Sequence, residues 1–242
     1  MGETYLSIII PAYNEERRIL NTIRTVESYL SEQSYPSEII VVDDGSIDNT
    51  MKIVSKMRSD IENLRIVSNG TNRGKGFSVR NGFLNAKGKF LIFSDADLST
   101  PIEEVEKLLQ CLQEGFDVAI GSRGLKESDI RIRQPWHRER MGRVFNLIVR
   151  ILTMGDFNDT QCGFKAFTTE AALNICEKQL LERFSFDVEM LYIAKKFGYK
   201  IKEVPIQWFD DPRSKVNNIR DSYQMFTDLI RIRINDFKGL YG

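Results

Sequence analysis

Cysteine is scarce in this 242-residue chain, and Cys111, Cys162 and Cys176 are odd in number, far apart and free of any CxxC spacing. That pattern excludes a disulfide framework and a zinc knuckle and points to a reducing compartment. An excess of either charge is missing as well, since Lys and Arg total 34 and Asp and Glu total 34. A balanced chain sets up no global basic field, which argues against nucleic acid as a partner and shifts attention to local charge. Long apolar runs are lacking too. The one at residues 5–10 meets Pro11 at once, too short for a signal sequence or a membrane span, and no later run reaches spanning length. Met1-Gly2 is no acylation signal, because Leu6 stands where that pattern wants Ser or Thr. The length suits one compact unit with a sizeable core.

Short apolar runs alternate with helical periodicity. Strands are expected at 5–10, 38–42, 64–68, 91–93 and 117–120, each of the first four followed by a helix. Asn14, Glu15 and Glu16 open the first helix, where Ile19, Ile23, Val26 and Leu30 recur three and four residues apart. Ser46 and Asp48 are placed to cap the second, at 50–57. A glycine-rich loop at 69–76, with Arg73 and Lys75, leads into the third, and the fourth spans 102–114. This alternation predicts an α/β fold, a doubly wound and mostly parallel sheet with helices on both faces.

Beyond about residue 125 the character shifts. Arg131, Arg133, Arg138, Arg140 and Arg143 lead into a nearly continuous apolar stretch, a basic amphipathic unit whose alternative is a core helix with a solvated basic cap. An extended segment follows at 159–167, then helices at 169–178 and 185–198. A late strand at 201–208 is marked as a sheet edge by Pro205. A polar loop at 210–217 and an amphipathic helix at about 219–237 complete the chain.

The chemistry concentrates in KFLIFSDADLSTP, residues 89–101. Leu91, Ile92 and Phe93 form a strand buried on both faces, and the run then ends in acid. Asp95 and Asp97 flank the small Ala96, so two carboxylates leave a strand end together, where a hard divalent cation can meet them and a phosphate at once. The alternative is a solvated turn in front of a helix that starts at Ser99, Thr100 and Pro101. In an open parallel sheet, ligands lie outside the carboxyl ends of the strands. Pro11-Ala-Tyr-Asn-Glu-Glu, Asp43-Asp-Gly-Ser, Asn72-Arg-Gly-Lys-Gly, Asp95-Ala-Asp and Gly121-Ser-Arg all fall at such ends, in that order.

The order of these motifs resembles the GT-A fold of glycosyltransferase family 2. DTQCGFKAF, FDVEM and the loop at 208–215 are similar to its polyprenyl-phosphate (dolichyl-phosphate-type) β-glucosyltransferase branch. The resemblance covers roughly residues 5–217 and implies a catalytic domain at 1–217, with a nucleotide-sugar-binding half at 1–124 and an acceptor half at 125–217, followed by an amphipathic helix at 218–242. It implies that Pro11, Tyr13 and Glu15 border base and ribose, and that Val42 and Asp44 hold the uracil side. Arg73 and Lys75 then lie near sugar or diphosphate, and Asp95, Ala96 and Asp97 form the donor and metal site for Mg or Mn. Arg123, Arg131, Arg133, Arg213 and Lys215 are implied as acceptor or phosphate ligands, and Asp97, Asp159 and Asp187 as the catalytic acids. Tyr13 read as packing, Asp44 as a helix cap, and Asp187 with Glu189 as a dipole-favoured helix start remain the plainer alternatives. Ser99 replaces the longer polar side chain that relatives can carry there, and Arg213 stands where a glycine or acid is more usual.

The implied reaction is an inverting, metal-dependent transfer of glucose from UDP-glucose to a polyprenyl phosphate, at the inner, cytoplasmic face of a membrane. Such an acceptor is already an anion and needs little or no general base. Transfer to a sugar hydroxyl, which requires a base, is the second reading, and a nucleotide-sugar-binding module without turnover the third. The basic amphipathic segments imply peripheral contact with an anionic membrane surface, with homo-oligomer formation left open.

Overall fold

Ile8, Ile9 and Ile10 are all fully buried, yet they belong to two different clusters: Ile8 and Ile10 pack on one face of a sheet and Ile9 on the other. Apolar runs without polar alternation are what a strand covered on both faces requires. The computed structural model describes residues 3–132, 147–150, 157–211 and 220–242. Its strands are β1 Leu6–Ala12, β2 Ser37–Asp43, β3 Leu64–Ser68, β4 Phe90–Ser94, β5 Val118–Ser122, β6 Asp129–Ile132, β7 Phe164–Thr168, β8 Ile201–Pro205 and β9 Gln207–Phe209. The main sheet runs β3-β2-β1-β4-β7-β5-β8, and β6 with β9 forms a small second sheet. All main-sheet neighbours are parallel except β7, which is antiparallel to both β4 and β5. The doubly wound, mostly parallel α/β sheet expected from the sequence is therefore present.

The helices are α1 Ile19–Ser31, α2 Thr50–Met57, α3 Lys75–Asn85, α4 Val105–Gln113, α5 Thr169–Lys178, α6 Phe186–Lys196 and α7 Arg220–Phe237, with a 3-10 turn, Ile102–Glu104, ahead of α4. Residues of α1, α2 and α4 share the first cluster, and those of α3, α5, α6 and α7 the second. Leu229 and Ile232 of the terminal helix, and Tyr241 just beyond it, are fully buried in this second layer. The opposite face of the helix leaves Tyr223, Phe226, Ile230, Ile234 and Phe237 exposed.

Three local expectations are corrected. The first helix begins at Ile19, because Asn14 adopts φ 54 and the Glu15 carbonyl accepts from the N–H groups of Arg18 and Ile19, so residues 14–18 form a turn. Ser46 does not cap α2; its hydroxyl accepts from the Asn14 N–H at 3.0 Å, while Asp48 alone reaches the Thr50 N–H at 2.9 Å. The single strand expected at 201–208 is two. Pro205 has no N–H for a ladder and closes β8 at the sheet edge, and the chain then crosses to pair β9 with β6. Arg133, Arg138, Arg140, Arg143, Arg213 and Lys215 lie outside the described residues.

Gly82 on α3 marks a close approach of helix to sheet, for a Cβ there would lie 2.4 Å from Cγ2 of Ile9. Helix propensity alone favours Ala over Gly by roughly 0.5–1 kcal/mol, whereas overpacking against a stiff β-branched side chain costs about 1–3 kcal/mol. Gly82→Ala is thus expected to lose stability on balance, read as a lower urea midpoint at unchanged slope.

Candidate active site

β4, at the centre of the sheet, delivers Asp95 just past its carboxyl end. Its N–H donates to the Gly163 carbonyl at 3.2 Å, and its own carbonyl accepts from Leu98 N–H at 3.1 Å, closing a turn with Leu98 at φ 49. Gly163 is required here, because a Cβ would sit 1.9 Å from Oδ2 of Asp95. Ala96 is buried, and its carbonyl accepts from the Thr22 hydroxyl at 2.5 Å, which ties the turn to α1. Asp97 Oδ1 accepts from Ser99 N–H at 3.0 Å. Burial, and then the neighbouring charge of Asp95, lift Asp97 above the ordinary carboxylate range.

Each of these carboxylates faces a basic side chain. Lys75, the first residue of α3, places Nζ 2.5 Å from Asp95 Oδ1, with the rings of Phe93 and Phe186 within 6 Å at 5.7 and 5.9 Å. Burial works against its charge, but Asp95 and then Asp187 more than offset it and hold Lys75 above its ordinary value. Arg18 lies 3.8 Å from Asp97 and 3.2 Å from Asp211, and it chelates Glu15. Asp211 is brought there by β9, whose Phe209 N–H donates to the Ser99 carbonyl at 2.8 Å.

Two expected site residues turn out to be each other's partners. Arg123 donates through Nε and Nη2 to both oxygens of Asp159, at 2.6 and 3.0 Å, and its N–H adds a third bond at 3.0 Å. Gln161 N–H supplies a fourth at 3.1 Å. Burial pushes Asp159 upward, but Arg123 overrides it and holds the carboxyl below its ordinary value. Trp208 flanks the guanidinium at 5.3 Å. Asp187 is likewise taken: Lys165, fully buried on β7, donates to it and to the Cys162 carbonyl at 2.6 Å. Burial raises Asp187, with Lys165 and Lys75 pulling against it. Glu189 is an anchor; it accepts from Leu180 and Leu181 N–H at 3.1 and 2.7 Å and from Tyr241 Oη at 2.7 Å.

The remaining expected residues divide. Pro11, Tyr13 and Glu15 follow one another at the mouth of β1, each partly exposed. Asp44 is buried and holds the glycine-rich loop, with Oδ1 on Arg73 N–H and Oδ2 on Gly74 N–H at 2.9 and 2.8 Å. It does not cap α2. Val42 is a fully buried core residue beneath Gly82, on the sheet face that carries α3. Arg73 stacks 3.6 Å over Phe77 and pairs with Glu182. Arg131 sits on the outer side of β6, mostly exposed and 2.5 Å from Asp129, and makes no contact with the acids above. Sequence reasoning passed over Arg18, Gly163, Lys165 and Asp211. Lys165 had a signal, a lone lysine inside the apolar FKAF run.

Among the described residues no three His, Cys, Asp or Glu side chains converge. Asp95 and Asp97 offer two hard oxygen donors, which fits a cation such as Mg2+ that keeps most of its shell for water and phosphate. A doubly wound sheet whose strand ends surround such a pair, with one antiparallel strand at its heart, defines a GT-A glycosyltransferase. The model of Glycosyl transferase family 2 matches residues 7–175, and the chain belongs to that family. It is similar to the dolichyl-phosphate beta-glucosyltransferase of Saccharomyces cerevisiae, at 37% identity over 258 residues, 99% of this chain and 77% of the relative. The enzyme of the same name from Dictyostelium discoideum is 35% identical over 249 residues, 98% and 76% of the two chains. Glucosyl-3-phosphoglycerate synthase from Mycobacterium tuberculosis, solved with Mn2+, UDP and glucosyl-3-phosphoglycerate, shares the fold. It superposes with a TM-score of 0.64 at 20% identity, covering 97% of this chain and 80% of that one.

Because Asp159 lies below its unfolded value of 3.8, the stability it contributes is present above that value and is lost as pH falls through the folded one. Asp159→Asn removes this acid-sensitive component and leaves Arg123, whose side chain is only 30% exposed, without its partner, at a cost of roughly 1–3 kcal/mol near neutrality. Urea unfolding at a series of pH values reads both effects: the variant starts less stable and its stability falls less steeply below pH about 4.

Proposed function

We propose that this enzyme transfers glucose from UDP-glucose to a polyprenyl phosphate of the dolichyl type, with inversion, at the cytoplasmic face of a membrane. The observation that carries the reading is the state of the two acids beyond the Asp-Ala-Asp turn. Asp159 has both oxygens filled by Arg123 and two backbone N–H groups, and Asp187 is buried against Lys165. Neither is placed to take a proton from an acceptor hydroxyl. A phosphate acceptor needs no such step, since its oxygen attacks as an anion. The similarity to dolichyl-phosphate glucosyltransferases over nearly the whole chain supports the same acceptor and sugar.

In this reading Tyr13 and Glu15 border the nucleoside, the Tyr13 ring offering a stacking face and the Glu15 carboxylate an acceptor for hydroxyl groups. Asp44 acts through the loop it holds, setting Arg73 and Lys75 beside the diphosphate. Asp95 and Asp97 hold Mg2+ or Mn2+, which when bound offsets the negative charge that gathers on the departing diphosphate. Arg123, squared by Asp159 and Trp208, presents a guanidinium to the acceptor phosphate, while Arg131 is taken by Asp129 on β6, and Arg133, Arg213 and Lys215 are the further bases that the resemblance assigns to this role. Residues 1–124 then serve the donor and 125–217 the acceptor.

Incubation with a panel of nucleotide sugars, Mg2+ or Mn2+, and either a short prenyl phosphate or free sugars tests the proposal by mass of the product. The expected product is a hexosyl prenyl phosphate formed from UDP-glucose; transfer to a sugar hydroxyl instead overturns it. Asp95→Asn and Asp97→Asn should each lower kcat by roughly a hundredfold or more, with unchanged circular dichroism.

Contact with the membrane has support of its own. Among the described residues no helix is long and apolar enough to cross a bilayer, but the exposed face of α7 sets Tyr223, Phe226, Ile230, Ile234 and Phe237 beside exposed Arg231, Arg233 and Lys238. Near an anionic surface each basic residue contributes on the order of 1 kcal/mol. Phe226→Ser with Phe237→Ser should weaken salt-sensitive sedimentation with anionic vesicles and slow transfer to a long-chain prenyl phosphate, while transfer to a short, soluble one stays near normal. Equal loss on both substrates would mean that the helix is only structural.

A further inference from the structure

Each carboxylate of the Asp-Ala-Asp turn already has a basic neighbour, although Arg18 is shared with Glu15 and Asp211. Lys75 Nζ stands 2.5 Å from Asp95 Oδ1, and Arg18 stands 3.8 Å from Asp97 Oδ2. A dication reaching for Asp95 meets an ammonium on the same oxygen, and at that spacing the two positive charges cannot share it without strong repulsion. Apart from solvent, which its 20% exposed side chain reaches, Lys75 has little else to turn to. Phe93 and Phe186 line its path, and the next anion, Asp187, is occupied by Lys165. Arg18 is different, because Glu15 and Asp211 still hold it when Asp97 is withdrawn. The closer and more isolated pair therefore decides the matter.

We propose that Lys75 is a built-in counterion of Asp95, so that a divalent cation enters this site only together with the donor diphosphate, which takes the ammonium over and frees the carboxylate. The inference rests on the reading that Asp95 and Asp97 hold the cation. It deepens that reading by coupling the two ligands: the cation alone meets the ammonium on Asp95, and the diphosphate alone faces the two acids. Bound together, the four charged groups regroup into lysine with phosphate and carboxylate with cation. Ligands that each make room for the other bind with positive coupling, and the coupling is reciprocal.

The test is direct binding of Mn2+ to the full chain, followed by the loss of the free-ion electron paramagnetic resonance signal, with and without UDP and corrected for Mn2+ held by UDP itself. No turnover is involved. For the unmodified protein, saturating UDP should tighten Mn2+ binding by roughly tenfold or more. Lys75→Met should bind Mn2+ without UDP roughly tenfold more tightly than the unmodified protein, the effect of removing a competing charge from one ligand, and should lose most of the UDP enhancement. Lys75→Gln is the second neutral variant should Met disturb the fold, and Lys75→Arg, which keeps the charge, should retain the weak nucleotide-free binding. Equal affinity with and without UDP, or no change in nucleotide-free affinity in either neutral variant, overturns the counterion role while leaving the cation site standing. Absence of Mn2+ binding under every condition removes the site reading itself, and the inference with it.

Discussion

Asp95 and Gly163 share a space too small for one more carbon, and the arrangement of the site depends on that contact. It exists because β7 enters the sheet against the direction of its neighbours, pairing Ser94 with Phe164 and Phe93 with Lys165. This register puts the bare backbone of residue 163 across from the acid and turns the Lys165 side chain toward Asp187. Side chains alternate along a strand, so a slip of one residue would press Phe164 toward the place of the lysine and leave Asp187 buried alone. The antiparallel strand is thus a positioning element as much as a structural one.

Acids and bases interleave above it in pairs: Asp95 with Lys75, Asp187 with Lys165, Asp159 with Arg123. Pairs of this kind, one fully buried and two partly exposed, add little net stability, because desolvation and solvent screening take back most of what attraction supplies. What they provide is placement. A guanidinium gripped at Nε and Nη2 by Asp159 and flanked by Trp208 presents a defined face, and an ammonium held at Asp95 marks where an anionic oxygen can later replace the carboxylate.

Asp187 and Glu189 show how one helix turn separates two jobs. Two residues apart on a helix means about 200° of rotation, so Asp187 looks toward Lys165 while Glu189 looks away, to the backbone at 180–181 and to Tyr241. Through that second set the C-terminal residues join the layer that carries α3. Helix α7 is amphipathic twice over. Leu229 and Ile232 complete the core, and the stripe from Tyr223 to Phe237 is still apolar on the outside. A single hydrophobic periodicity in the sequence could not have told those two faces apart, since both obey helical spacing.

The strand-end motifs, their order, the α/β class and the acid pair at 95 and 97 were legible from residues alone, because each is a local pattern: a run of apolar residues, a glycine next to a basic residue, an abrupt change to acid. The caps were less so. Ser46 and Asp48 are equally good capping residues, and only the position of Asn14 from another strand end decided that Ser46 would bond elsewhere. The partners were not legible at all. Arg123 meets Asp159 across 36 residues and Lys75 meets Asp95 across a helix and a strand, and nothing in spacing along the chain says which acid a base will face. By itself the sequence determined which segments become strands and helices and which side chains carry charge to the strand ends. The tertiary structure alone decided who neutralises whom, because that depends on strand direction and register, which are properties of the assembled sheet and of no single segment.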